Sequence, residues 1–234
     1  MSQITKVLSK KDWERVNIIE NNEPLVLIEE MSQLEIGTIS KSYDVCFYVR
    51  KEIKKKLERV AQSLPEGLKL VVIEAYRSVE NQQKSWDATC ENIRKQNPGW
   101  SKNMIEQKAG LVTARPNRLA NHNCGGAIDV TLCDENGVCL DMGTPYPSEI
   151  KTVGEYKKAY INFPMFPKFS FFNRLTKQQK ENRKLLREAM EKEGFVWYPG
   201  EWWHYCYGDR MWAVYTRKEK CFYGPVDFIY KDVY

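Results

Sequence analysis

The sequence predicts an α+β domain with an antiparallel sheet flanked by helices. Three observations carry this. Strand-like and helix-like stretches come in clusters, where a doubly wound parallel sheet would alternate them as regular βαβ units. Asp134-Glu135-Asn136-Gly137 sits between two strand-like stretches and is a hairpin signal. Pro199-Gly200 separates a second pair of short strand patterns in the same way. A chain of 234 residues, 42% hydrophobic and with seven tryptophans, has the material for a real core, and one domain over residues 1–234 is expected.

The elements follow in order. Leu25 to Ile28 reads as a short strand. Residues 48–64 read as an amphipathic helix with Ile53, Leu57, Val60, Ala61 and Leu64 on one face, stopped by Pro65 and Gly67. Leu68 to Ile73 is a β-rich strand that leads into Glu74-Ala75-Tyr76-Arg77. Helical patterns follow at 79–96 and 101–109, broken by Pro98-Gly99, and residues 110–125 read as a loop. Gly126 to Cys133 alternates as a strand, and Val138 to Met142 is its expected return. Residues 143–175 are rich in proline and aromatics without a clear period, which suggests a lid. Thr176 with Gln179 forms a capping-box signature for a helix ending at Glu193 before Gly194. Phe195 to Tyr198 and Glu201 to Tyr207 read as a hairpin turning at Pro199-Gly200.

Charge and cysteine use narrow the function classes. The net charge of +5, from 36 basic and 31 acidic residues, is mild. The basic run from Arg50 to Lys56 alternates with Ile53 and Leu57, as the solvated face of a helix would. Basic-plus-aromatic patterning of a nucleic-acid binder is absent. No stretch reaches the roughly 20 apolar residues of a membrane helix, and the N-terminal apolar run is too short for a signal peptide. A cytoplasmic protein is expected, with no nucleic-acid and no membrane partner. Its seven cysteines show no CxxC spacing, so reduced thiols are expected in place of a disulfide scaffold. Cys124 and Cys206 each lie two residues after a histidine. Cys206 at i+2 on a strand could share a face with His204, although both fit a small buried apolar role better.

The chain has only two histidines, and each lies near a carboxylate. His122 precedes Asp129 in Asn121-His122-Asn123-Cys124-Gly125-Gly126-Ala127-Ile128-Asp129. His204 follows Glu201 in Glu201-Trp202-Trp203-His204. A hydrolytic zinc site needs three protein ligands and an open position. His122, Asp129 and His204 supply such a set, with Gly125 and Gly126 allowing the tight turn between the first two. Each residue alone is explained without a metal: a loop histidine, an unrelated acid, a hydrogen-bonded histidine in an aromatic sheet. Together, in a chain with no other histidine, they predict Zn2+ binding. Glu201 can act as general base only if it sits on the turn after Pro199-Gly200, because in a regular strand it would face away from His204.

These residues resemble the zinc-dependent D-alanyl-D-alanine dipeptidase family, which includes the vancomycin-resistance dipeptidases. The family's pattern Ser-x-His-x-x-Gly-x-Ala-x-Asp matches Ala120 to Asp129 except at its first position. Its Glu-x-Trp-His pattern matches Glu201 to His204. Glu74-Ala75-Tyr76-Arg77-Ser78 resembles the segment carrying a transition-state arginine. Supporting similarity runs from about residue 20 to residue 227 and includes Met142-Gly143-Thr144 and Tyr207 to Ala213. The resemblance implies that His122, Asp129 and His204 hold zinc, that Glu201 is the general base, and that Arg77 stabilises the oxyanion. Two departures bear on substrate choice: Ala120 replaces the pattern's serine, and Pro147 falls where an acid binding the substrate's amino group is expected. The expected activity is hydrolysis of a small peptide, D-Ala-D-Ala or a related D-amino-acid dipeptide. The alternatives are a D,D- or L,D-carboxypeptidase acting on peptidoglycan stem peptides, and a zinc-binding relative without catalysis.

Overall fold

The two longest β-rich stretches become the centre of the sheet, and the chain's other elements are arranged around them. The computed structural model describes residues 10–37, 41–110, 113–116, 121–144, 146 and 175–228. In chain order the elements are α1 (Lys10–Glu14), β1 (Asn17–Ile18), β2 (Leu25–Leu27), β3 (Leu34–Ile36), β4 (Tyr48–Arg50), α2 (Lys51–Gln62), β5 (Leu68–Glu74), α3 (Val79–Gln96) and α4 (Lys102–Ala109). A 3-10 turn (Asn121–Cys124) follows, then β6 (Ala127–Asp134), α5 (Lys177–Lys192), β7 (Val196–Trp197), β8 (His204–Cys206), α6 (Arg210–Tyr215) and β9 (Lys220–Cys221). Among the described residues no helix is long and apolar enough to cross a membrane.

The main sheet has the order β3-β5-β6-β8-β7. Strands β5, β6, β8 and β7 pair antiparallel, as expected. Strand β3, however, pairs parallel with β5, so the sheet is mixed, which corrects the purely antiparallel reading. Three residues are too few to show a period. Two small ladders, β1 with β9 (parallel) and β2 with β4 (antiparallel), lie apart from this sheet.

Alternation along β6 separates two environments. Ile128, Val130 and Leu132 face one way and pack with Ile53, Leu57, Val60 and Ala61 of α2 and with Leu186 and Met190 of α5. Truncating a residue such as Leu57, which is fully buried, to Ala would cost about 2–5 kcal/mol. The opposite set, Ala127, Asp129 and Thr131, is also buried. Ala127 joins Val196, Cys206, Met211 and Trp212 in a second cluster under α6. Asp129 is therefore presented on the face that the two core helices do not cover.

Several boundaries differ from the sequence reading for identifiable reasons. The helix expected from residue 48 begins at Lys51, because Tyr48 to Arg50 pair with β2 instead. The return strand expected at Val138 to Met142 is reduced to a single bridge between Cys133 and Cys139. Beyond it the carbonyls of Asp141 and Met142 are taken by Asn182 and Arg183 of α5, at 2.9 and 2.6 Å, which draws the chain off the ladder. The turn itself forms as expected, with Gly137 at φ +79° and Asp134 Oδ1 accepting from the Asn136 and Val138 amides. This hairpin sets Cys133 opposite Cys139, and the two form a disulfide, which corrects the expectation of wholly reduced thiols. The other five cysteines are free and buried. The Thr176–Gln179 capping box opens α5 as predicted.

Candidate metal centre

Sheet register builds the centre. Asp129 on β6 lies directly opposite His204 on β8 and opposite Glu74 on β5. Three polar residues thus form a row across three adjacent strands. His122 reaches the same place from the 3-10 turn just before β6. Gly125, at φ +68°, ends that turn, and a β-carbon there would lie 2.3 Å from Leu25. Only glycine tolerates both the backbone and the space.

The donor atoms converge. One ligand atom each from His122, Asp129 and His204 lies within 4.8 Å of the others, and all three side chains are buried. His204 Nδ1 is 3.0 Å and His122 Nε2 3.5 Å from the same carboxylate oxygen, Asp129 Oδ1. The remaining polar atom of each ligand is engaged elsewhere. His122 Nδ1 donates to the Ala75 carbonyl at 2.7 Å. His204 Nε2 contacts Cys206 Sγ at 3.3 Å. Asp129 Oδ2 accepts from the Tyr146 hydroxyl at 2.6 Å. Partners of this kind fix the orientation and tautomer of metal-binding side chains. Burial would drive the Asp129 pKa up, but the two histidines outweigh it and hold the carboxyl well below its usual range. The compact N, N, O set therefore keeps an anionic oxygen between two imidazoles, which suits a divalent ion such as zinc.

Glu201 lies on the turn between β7 and β8, not within the strand. Its amide donates to the Tyr198 carbonyl at 3.1 Å, and its own carbonyl accepts from the Trp197 indole at 2.8 Å. The curl brings Glu201 Oε2 to 3.8 Å from His204 Nδ1, with the side chain 21% exposed. Burial raises its pKa to about 7, partly opposed by His204. A carboxylate so tuned can take and return a proton near neutral pH.

Arg77 follows β5 and is fixed by Glu74. Its Nε and Nη2 donate to the two Glu74 oxygens at 2.7 and 2.5 Å, and Nη1 donates to Gln82 at 2.8 Å. The Arg77 amide bonds the His122 carbonyl at 3.2 Å, which ties the arginine to the ligand-bearing turn. Glu74 is fully buried and also takes Lys41 and Tyr43 as partners. Burial alone would favour its protonated form, but Arg77 and Lys41 prevail and keep it ionised.

Three of these participants were not anticipated from sequence. Lys41, Tyr43 and Tyr146 lie far along the chain from their partners and carry no local signature. Glu74 had a signal, since it is the one acid in the apolar run Leu68 to Glu74. Arg50 corrects the reading of a solvated basic face: it is 2% exposed. Its guanidinium donates to the carbonyls of Cys124 (2.8 Å) and Gly224 (3.2 Å), pinning the turn that carries His122. Cys124 and Cys206 are not among the converging ligands. Cys124 donates to the Asn121 carbonyl, and Cys206 packs behind His204 against Met211. Ala120, Pro147 and most of the expected lid lie outside the described residues.

Comparison with known proteins follows the same lines. A family described as D-ala-D-ala dipeptidase matches residues 169–224, which include Glu201 and His204. A D-alanyl-D-alanine dipeptidase of Synechocystis sp. is 27% identical over 181 residues, 71% of this chain and 72% of that protein. Another from Escherichia coli is 30% identical over 139 residues, 59% of this chain and 55% of that protein. Among solved structures, the vancomycin-resistance D,D-pentapeptidase VanY in complex with Zn(II) aligns with 16% identity and a TM-score of 0.46, covering 89% of this chain and 96% of its own. VanYB in complex with D-alanine-D-alanine aligns with the same identity and TM-score over 88% and 94%. The resemblance to the D-alanyl-D-alanine dipeptidase family is borne out by the family match and by both curated relatives, and with it an enzyme that hydrolyses peptide bonds.

Proposed function

We propose that this chain is a zinc-dependent peptidase of the D-alanyl-D-alanine dipeptidase family, hydrolysing D-Ala-D-Ala or a closely related D-amino-acid dipeptide. The observation that carries the reading is the convergence of His122, Asp129 and His204, each with its other polar atom already bonded to protein. The substrate class is supported by the names of the two relatives.

His122 Nε2, Asp129 Oδ1 and His204 Nδ1 would hold the ion. Zinc bound there supplies Lewis acidity toward water and toward the peptide carbonyl. Glu201 accepts a proton from the attacking water and returns it to the leaving amine. Arg77 directs its remaining N–H groups at the developing oxyanion. A guanidinium has five N–H donors, and Glu74 and Gln82 engage three of them. The fixed orientation means that no reorganisation is needed as charge develops.

The test is incubation of zinc-loaded protein with D,D-, L,D- and L,L-dipeptides and longer stem peptides, following the release of free amino acids. Release from D,D-dipeptides is expected. Release only from longer peptides would replace the dipeptidase reading with a carboxypeptidase. Glu201→Ala should keep zinc and lose hydrolysis by roughly 10²–10⁴-fold; wild-type rates in that variant would remove Glu201 from the mechanism.

A further inference from the structure

Resting on the metal centre proposed above, we infer that Tyr146 is a positioning residue for the metal ligand Asp129, backed by Lys41. The Tyr146 hydroxyl has one proton, and its shortest acceptor is Asp129 Oδ2 at 2.6 Å, against 3.2 Å to Glu74 Oε2. That proton occupies the one Asp129 oxygen that does not face the two histidines. Asp129 is thereby held with Oδ1 alone presented to the ion.

Lys41 stands behind the hydroxyl. Its Nζ donates to the Tyr146 oxygen at 3.1 Å and also pairs with Glu74. A cation donating to a phenol oxygen polarises the O–H outward and strengthens the bond it gives to the carboxylate. A carboxylate fixed through one oxygen by a strong donor keeps the other aimed at the metal position, and losing such a partner weakens metal binding. The same Lys41 and Tyr146 touch Glu74, which anchors Arg77. One hydrogen-bonded group therefore sets the position of the metal ligand and of the oxyanion donor together. The residues are drawn from positions up to 105 apart in the chain. Tyr146 is buried, with its ring edge-on to Trp203 at 5.3 Å, so loss of the hydroxyl alone leaves the packing in place.

Tyr146→Phe tests this. Zinc affinity, measured by competition with a chelator, should fall roughly tenfold or more, while the zinc-free protein still folds cooperatively. With Co(II) in place of zinc, the visible absorption should weaken, because the freed Asp129 oxygen can join the coordination and raise its number. Lys41→Met keeps the hydroxyl and should lower zinc affinity in the same direction but by less; it carries the test if Tyr146→Phe fails to fold. Unchanged zinc affinity and an unchanged Co(II) spectrum in Tyr146→Phe would overturn the inference, as would a loss of zinc-free stability with no loss of affinity. A wild-type chain that binds no zinc would overturn the metal centre itself, and this inference with it.

Discussion

Arg77 shows how far a single side chain depends on its fixed partners. Its fork is held by both Glu74 oxygens and by Gln82, a geometry a lysine cannot reproduce because its ammonium is a single point donor. Arg77→Lys should therefore lower kcat by roughly 10²–10³-fold with zinc affinity unchanged; steady-state kinetics beside a zinc titration would check it, and equal activity would exclude Arg77 as oxyanion donor. Asp209 gives a residue-scale prediction about stability. It caps α6 through a 2.7 Å bond from the Trp212 amide, yet burial raises its pKa from 3.8 to about 6, against the pull of that amide and of Cys206. The folded state thus holds the Asp209 proton more tightly than the unfolded state does. The resulting stability is fully present below about pH 4, falls as pH rises, and is gone above about pH 6, a difference on the order of 2–3 kcal/mol. Asp209→Asn retains a capping oxygen and should flatten this part of the profile. Denaturant melts at pH 4, 5, 6 and 7 would show it, and an equally steep fall in the variant would assign the dependence to another group.

At the scale of elements, the 3-10 turn and β6 form one ligand-bearing unit whose geometry hangs on Gly125. Alanine there would meet Leu25 at 2.3 Å in a left-handed backbone. Gly125→Ala should cost at least about 1–3 kcal/mol and displace His122, so zinc affinity should fall along with thermal stability. A variant with wild-type zinc affinity would show that β6 alone sets the site. This unit was also the most legible part of the sequence. Two histidines in the whole chain, each near a carboxylate, marked residues that the fold brings together, and a Pro-Gly turn before Glu201 allowed that residue to leave the strand. The long helices were legible from their period and caps. Strand β3 was not, since three residues carry no period and its parallel partner lies far along the chain. Tyr146 and Lys41 were not either: the chain has 36 basic residues and 13 tyrosines, and only tertiary contact singles these out. Arg50 was misread for the related reason that a local charge run looks solvated until the segments that bury it are in place.

For the molecule as a whole, the centre exists only in the folded chain. His204 meets Asp129 across 75 residues of sequence, and Arg50 links the His122 turn to the segment around Gly224, 174 residues away. An ion that needs all three ligands therefore binds the native state and has little hold on the unfolded one, so its binding adds to stability by mass action. At a free zinc concentration a thousand times the dissociation constant, the gain is about 4 kcal/mol. Removing zinc with a chelator should lower the melting temperature by several degrees, and re-addition should restore it. The increment should fade as pH falls below neutrality, because the histidines must be unprotonated to bind. Ala at position 204, in His204→Ala, should leave a protein whose melting ignores both chelator and zinc. If that variant still gained stability from zinc, the stabilising ion would sit elsewhere in the molecule. If wild type itself ignored both chelator and zinc, no ion would be binding the native state in preference to the unfolded one, and the metal centre would be refuted.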